Sequence, residues 1–296
     1  MINHRDNTLL QWLDFHLLGE VNLSQDVSMC SRRVLIPDSV LSTLRPEFIT
    51  SMNGLAMDLP ESVRTVFGAT FLTDEVVEEV CAKNTGPALL VVHHFFDMYC
   101  GNPGLQNGIP FHFINVNAFR ALQNSNIAIY ASHLPLDRQE IPFNTSLAFA
   151  ESMNLLIDYP LKLQTLPGIG YCLKNTAGIS DILNSYYPVN HHYGAIDPLG
   201  KEVPTAIIAG VISKPEIIDE LASLGFRRLI CGDVLVRIPS IRFNTISQCL
   251  RTTPLSIFCT SHLKSESCSL IKITDAINAC FSYIKAYYIQ ENTEWK

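Results

Sequence analysis

Three apolar stretches of the chain each end in residues able to bind metal ions. The first reads Ala88-Leu89-Leu90-Val91-Val92-His93-His94. The second runs from Ile127-Ala128-Ile129-Tyr130-Ala131 into Ser132-His133-Leu134-Pro135-Leu136-Asp137. The third runs from Leu255-Ser256-Ile257-Phe258-Cys259 into Thr260-Ser261-His262-Leu263-Lys264-Ser265-Glu266. Imidazole nitrogens and carboxylate oxygens, with no thiolate nearby except Cys259, suit Fe, Zn or Mn better than a structural thiolate zinc site. His93, His94, Asp137, His262 and Glu266 are therefore candidate metal ligands. Five ligands, two of them carboxylates, are generous for one ion with an open position. A carboxylate can instead bridge two ions about 3.5–4 Å apart, as in two-metal hydrolytic sites.

Each cluster makes its own geometric demand. Adjacent histidines inside a strand point to opposite faces. At a strand end the backbone can turn, so both rings can reach one cavity or two neighbouring ions. His262 and Glu266 are four apart and share a helix face if the third strand runs straight into a helix. Asp137 also follows His133 by four, but Pro135 argues for a loop there. The remaining histidines read differently. His16 and His112 are structural by this reading. The pair His191-His192 lacks a preceding apolar strand and reads as surface or structural.

The elements that carry these residues follow an alternating rhythm. Residues 7–18 have helical apolar spacing, and 20–60 read as loops with short elements. Strand-like 62–69 is followed by a helix at 73–83 with Thr73 as N-cap and acids in the first turn. A strand at 88–92, a helix ending near 124, a strand at 127–131 and a helix at 144–153 capped by Asn144 complete the first series. Residues 158–205 are richer in Gly, Pro and Tyr and read as hairpins and loops. A second series has strands at 205–209, 228–231 and 255–259, helices at 214–224 and 241–250, and one long helix over 266–289. Short, wholly apolar strands alternating with helices imply α/β architecture with mainly parallel or mixed sheets. Ligands in such sheets bind outside the carboxyl ends of the strands, where all three clusters lie. We divide the chain into a first α/β half (1–157, with an N-terminal extension), a connecting segment (158–204) and a second α/β half (205–296). Part of the C-terminal segment is allowed to pack on the first half.

Composition excludes several classes. The 296 residues are 47% hydrophobic and 17% charged, ample for a buried core. The net charge of −7 comes without any Lys/Arg stripe, so no nucleic-acid partner is expected. The apolar stretch after the polar N-terminus is broken by Asp14, His16 and Glu20, unlike a signal peptide. No uncharged apolar run is long enough for a membrane span. Nine cysteines without CxxC spacing read as reduced, buried thiols in a cytoplasmic protein.

At these residues the sequence resembles the GTP cyclohydrolase 1 type 2 family of dinuclear-metal proteins. Asn53-Gly54-Leu55 is similar to the end of its Asp-Asn-x-Gly-Leu segment. The likeness continues through Thr73 to Glu79 and the His93-His94 doublet. Ser132-His133-Leu134-Pro135-Leu136-Asp137 is similar to its Ala-His-Thr-x-x-Asp, and Asn144 to Ala148 to its Asn-x-x-Leu-Ala. Ser261-His262-x-x-x-Glu266 is similar to its Gly-His-x-x-x-Glu. The agreement spans roughly residues 50–155 and 205–285. It implies two similar α/β domains with mixed sheets flanked by helices, and a two-metal site in the cleft between them. It also implies a toroidal homohexamer built as a trimer of dimers. By position, His93, His94, Asp137, His262 and Glu266 match the family's ligands, and His133 matches a nearby non-ligand histidine suited to proton transfer. Two departures concern the cleft. Phe95 stands where the family usually has Pro. Cys231-Gly232-Asp233-Val234-Leu235-Val236-Arg237 lacks the two histidines of Thr-Gly-Glu-x-x-His-His.

The functional expectation is a metal-dependent hydrolase of cyclohydrolase or amidohydrolase type acting on a small molecule or nucleotide. Two divalent ions (Fe, Zn or Mn) would activate a water for attack on an electrophilic carbon. His133 would carry the proton, and Asp233 or Arg237 would orient the substrate. The alternative is a non-catalytic metal-binding or oligomeric scaffold protein.

Overall fold

A computed structural model describes residues 4–23, 26–98, 111–186, 191–196, 201–234 and 241–291. The chain opens with α1 (His4–Leu13), continued by a π-helical turn (Asp14–Leu18). Short helices α2 (Val27–Arg32), α3 (Asp38–Leu41) and α4 (Pro46–Ser51) lead to β1 (Gly54–Leu55). Then come β2 (Thr65–Phe71), α5 (Asp74–Lys83), β3 (Ala88–His94), β4 (Asp97–Met98), β5 (Phe111–His112), α6 (Val116–Asn124), β6 (Ile127–Ala131), α7 (Leu134–Asp137) and α8 (Thr145–Ser152). The chain continues with β7 (Leu156–Pro160), β8 (Tyr171–Lys174), α9 (Ile179–Tyr186), β9 (His191–Gly194), β10 (Thr205–Ile212), α10 (Pro215–Ser223) and β11 (Arg228–Val234). It finishes with α11 (Ile241–Thr252), β12 (Ser256–Cys259), α12 (His262–Cys280) and β13 (Lys285–Tyr288).

Among the described residues, the first sheet has the strand order β1-β6-β3-β2-β13 and the second β7-β8-β10-β11-β12-β9. The central strands β6, β3, β2 and β13 run parallel, with β1 antiparallel at one edge. In the second sheet β10, β11 and β12 are parallel, and β7, β8 and β9 flank them antiparallel. The stretch 158–204 thus supplies strands to the second sheet. Both sheets are mixed and flanked by helices, the architecture expected for two α/β halves.

Side-chain alternation builds the layers. In β2, β3 and β6, Phe67, Leu90, Val92 and Ile129 face Val76 and Val80 of α5 and Phe119 and Leu122 of α6. Their neighbours Val66, Leu89, Val91, Ala128 and Tyr130 face Leu9 and Leu13 of α1 and Leu270, Ile273 and Ile277 of α12. Likewise Ile208, Leu229 and Ile257 pack on α10 and α11, while Ile207, Ile230 and Phe258 pack on Phe149 of α8 and on α9. Strands apolar on both faces are what helix-covered parallel sheets require. Thr73 caps α5 by accepting from the Val76 N–H, and Asn144 caps α8 by accepting from the Leu147 N–H, as their side-chain oxygens suggest.

Two expectations are corrected. The long helix over 266–289 begins earlier, at His262, and stops at Cys280. The Asn278 side chain accepts from the Ala286 N–H and donates to the Ala286 carbonyl, closing a turn. The chain then adds β13 beside β2, with Lys285 opposite Thr65. Apolar spacing at Phe281, Ile284 and Ile289 fits either period, and the open edge of β2 decides for the strand. Second, the expected loop at 134–137 is one turn of helix with Pro135 in its first turn. Proline is tolerated there because the first helical N–H groups have no intrahelical acceptor.

Beyond β13, Glu291 accepts from the backbone N–H groups of Thr70 (2.7 Å) and Phe71 (2.8 Å), and Tyr288 Oη donates to it at 3.0 Å. Burial outweighs these bonds and pushes its pKa up to about 7. A folded carboxyl that holds its proton above the unfolded value opposes folding once the unfolded group ionises. Stability is therefore expected to fall between about pH 4.5 and about 7, by on the order of 1–3 kcal/mol. Thermal melts across that range should show this decline, and Glu291→Gln should flatten it.

Candidate metal centre

The carboxyl-end residues of β2, β3, β10 and β11 lie against the first turns of α12, and the candidate ligands collect there. His93 and His94 both belong to β3, with His94 registered opposite Phe71. Their rings nevertheless meet, centroids 4.4 Å apart. Phe71 stacks on His94 at 4.6 Å with 8° between the planes, which fixes that ring. His262 and Glu266 come from the first two turns of α12. Strand β12 runs directly into that helix through Ser261, whose side chain accepts from the Lys264 N–H. The (i, i+4) pair therefore lies on one face, and His262 Nε2 is 3.0 Å from Glu266 Oε1.

Glu266 is the hub. Its Oε2 lies 2.9 Å from His94 Nε2, and its Oε1 lies 3.6 Å from His93 Nε2. Asp137, at the end of α7, places Oδ1 3.6 Å from the same His93 Nε2. Thr145 Oγ1 donates to Asp137 Oδ1 at 2.8 Å, and Asn144 Nδ2 donates to the Asp137 carbonyl at 2.6 Å. The cap of α8 thereby holds the turn that presents Asp137. His94, His262 and Glu266 offer three donor atoms within 4.8 Å of one another, and so do His93, Asp137 and Glu266, and His93, His94 and His133. These buried groups can hold a metal ion.

The electrostatics call for positive charge. His93 is fully buried, and its Nδ1 lies 2.8 Å from the Ser132 carbonyl. A carbonyl only accepts, so Nδ1 carries the proton and Nε2 is left facing the two carboxylates. That atom is buried without a hydrogen-bond partner, the arrangement in which an acceptor on the far ring nitrogen aims a metal-binding histidine. Burial lowers the pKa of His93, but Glu266 and Asp137 overcome it and push the value up to about 9. Burial would likewise raise Glu266, yet the His262, His94 and His93 rings hold it well below the usual carboxylate range. Burial drives His94 the other way, well below its ordinary value. Burial raises Asp137 despite His93 and His133. A bound cation would replace the proton that His93 otherwise retains.

His133 stands beside this group, its ring 5.1 Å from that of His93 and 4.8 Å from that of His94. Its Nδ1 pairs with Asp26 Oδ2 at 3.0 Å. Burial raises the Asp26 pKa, but His133, Asn53 and the Met29 N–H outweigh it and hold the carboxyl well below its usual range. Asp26 carries no sequence signal, because it lies in the unpatterned stretch 20–60, 107 residues before its partner.

The second sheet contributes close backbone. Gly210 has φ +78°, and a Cβ there would lie 2.5 Å from Glu266 Oε1. A Cβ on Gly232 would lie 2.9 Å from the His262 Cα. Ser265 Oγ accepts from the Gly210 N–H and donates to the His262 carbonyl. Asp233, the next residue on β11, is half-buried, and its Oδ1 accepts from the Val234 N–H at 2.7 Å. Arg237 lies outside the described residues. Phe95 turns into the core and packs on Phe48 at 4.8 Å. His16 rests on Trp12, and His192 binds Ser256 Oγ and packs on Phe258, so both serve structure.

Residues 49–292 match the profile of Duf34/NIF3 (NGG1p interacting factor 3). Among curated proteins, none matches the chain in sequence. Solved structures share the fold. The ybgI protein superposes with a TM-score of 0.61 at 16% identity, covering 97% of this chain and 98% of that one. The SA1388 protein of Staphylococcus aureus gives 0.60 at 16%, covering 97% of each chain. HcgD from Methanocaldococcus jannaschii gives 0.59 at 16%, covering 86% of this chain and 96% of that one. The family match covers both sheets and every candidate ligand: the chain belongs to the DUF34/NIF3 family, which includes GTP cyclohydrolase 1 type 2.

Proposed function

We propose that the chain holds two divalent metal ions (Fe, Zn or Mn) and hydrolyses a small molecule. The observation that carries this reading is Glu266, whose two oxygens lie between His94, His262 and His93 in a nearly dry site. His94 and His262 with Glu266 would hold one ion, and His93 and Asp137 with Glu266 the other. When bound, such ions supply Lewis acidity and lower the pKa of a coordinated water towards neutrality. The chain's own residues do the rest. His93 is aimed by the Ser132 carbonyl, and Phe71 holds His94 in place. His133 Nε2 takes a proton from the attacking water and returns it to the leaving group, a cyclohydrolase or amidohydrolase pattern. Asp233 and Arg237 are proposed to contact substrate from the second half. The working assembly is proposed as a homohexamer, a trimer of dimers, in the cytoplasm. Light scattering that gave a monomer would remove that part alone.

The test combines elemental analysis with turnover. Purified protein should carry up to two ions per chain. On a panel of nucleotides and cyclic amides, His133→Ala should retain the metal and lose about 10²–10⁴-fold in rate. Metal at background level would overturn the site. Full metal with no turnover on the whole panel would favour a non-catalytic metal-binding protein.

A further inference from the structure

We propose that Asp26 is a positioning residue that sets the tautomer of His133, so that the ring presents only Nε2 to the ligand cluster. The carboxylate is 2% exposed. Its oxygens lie 3.2 and 3.0 Å from His133 Nδ1. It also accepts from the Leu134 N–H at 3.2 Å, from Asn53 Nδ2 at 2.9 Å and from the Met29 N–H at 3.1 Å. An ionised carboxylate can only accept, and these four donors fill roughly the number of sites it has. His133 must therefore place its proton on Nδ1.

The same unit grips the backbone. The His133 N–H donates to Asn53 Oδ1 at 2.7 Å, and Asn53 Nδ2 donates to Asp26. Ring and main chain of His133 are thus held by one Asp26–Asn53 pair. His133 precedes α7 with φ −95° and ψ −87°, neither helical nor extended, and α7 ends in Asp137. One acid thereby aligns the proposed proton carrier beside a proposed ligand. Asp26 also caps α2 through Met29, so a purely structural role must be separated from the positioning role. A cap alone would leave the tautomer of His133 indifferent. An orienting carboxylate would not, since a histidine with its proton on the inner nitrogen cannot accept another there.

The tautomer assignment stands on geometry alone, while its catalytic consequence rests on the proposed role of His133. The experiment reads the two separately. Histidine-labelled protein loaded with diamagnetic Zn²⁺ is examined by ¹⁵N NMR, with His133→Ala identifying the resonances. In wild-type protein His133 should be protonated on Nδ1. Asp26→Asn offers an amide donor to the ring and should move the proton to Nε2, whereas Asp26→Glu should restore Nδ1. On any substrate found by the panel, Asp26→Asn should lower kcat on the order of 10³–10⁴-fold with KM within about threefold, and Asp26→Glu should recover part of it. A wild-type ring protonated on Nε2 overturns the proposal without any variant. So does an unchanged tautomer in folded Asp26→Asn. A tautomer switch accompanied by full turnover in His133→Ala upholds the positioning role and sinks the proton-carrier reading.

Discussion

Glu266→Ala is expected to empty both of the proposed metal positions, whereas His262→Ala and Asp137→Ala should each empty one. Of the three residue groups around which an ion can sit, the two that contain a carboxylate share only Glu266. Its Oε1 is 3.0 Å from His262 and 3.6 Å from His93, and its Oε2 is 2.9 Å from His94. Without it, three imidazoles converge on a site with one remaining acid, and the attraction that holds His93 protonated is largely lost. Supporting residues around a metal already change affinity about 10–100-fold, so loss of the shared ligand should exceed about 100-fold. The variant should fall from up to two ions per chain to background. It should also lose the stabilisation that metal confers. At a free concentration of about 100 Kd that is about 2.7 kcal/mol, or roughly 5–10 °C in Tm at roughly 2–4 °C per kcal/mol. Elemental analysis beside melts with and without added metal reads both effects. Equal losses in all three variants would refute a shared carboxylate.

Gly210→Ala should damage the same site from the second sheet, without removing any ligand atom. The residue sits at φ +78°, where an L side chain costs roughly 1–2 kcal/mol. Its Cβ would then meet Glu266 Oε1 at 2.5 Å, well inside contact distance. Glu266 cannot yield freely, because Ser265 beside it is fastened to the Gly210 N–H and the His262 carbonyl. Overpacking of this kind costs typically about 1–3 kcal/mol. The sum, about 2–5 kcal/mol, should appear as a lower denaturant midpoint, with metal affinity reduced as Glu266 is displaced. Gly225→Ala is the control. It has φ +90° and no neighbour within 4 Å of an added Cβ, so it should show the conformational cost and no metal defect. Unchanged metal content in Gly210→Ala would mean that the close approach does not constrain Glu266.

Both predictions depend on contacts of different legibility. The candidate ligand residues could be read along the chain, because short apolar strands followed closely by His, Asp or Glu announce both a parallel sheet and a carboxyl-end cluster. The helix carrying Glu266 could be read from its apolar spacing, whereas its start at His262 was legible only as a condition on the four-residue spacing. Its end could not be read. From Phe281 onward the apolar spacing suits helix or strand, and the choice was made by the unpaired edge of β2 and the side chain of Asn278. The turn at Pro135 is helical because proline forbids a helix interior but not its first turn.

Asp26 marks the boundary more sharply. A lone acid in an unpatterned stretch gives no periodic or spacing signal, and its meaning arises only when folding sets it against His133. The glycines at 210 and 232 are alike, since a missing side chain matters only where another chain segment comes close. Residue order along the polypeptide, then, determined which segments are strands, which are helices and where potential ligands sit on them. Tertiary packing decided which of those ligands share a carboxylate, which ring nitrogen is left bare and which acid orients His133. The reason is that periodicity and capping act over a few residues, whereas burial, exclusion and charge pairing depend on distances that only the folded chain brings into being.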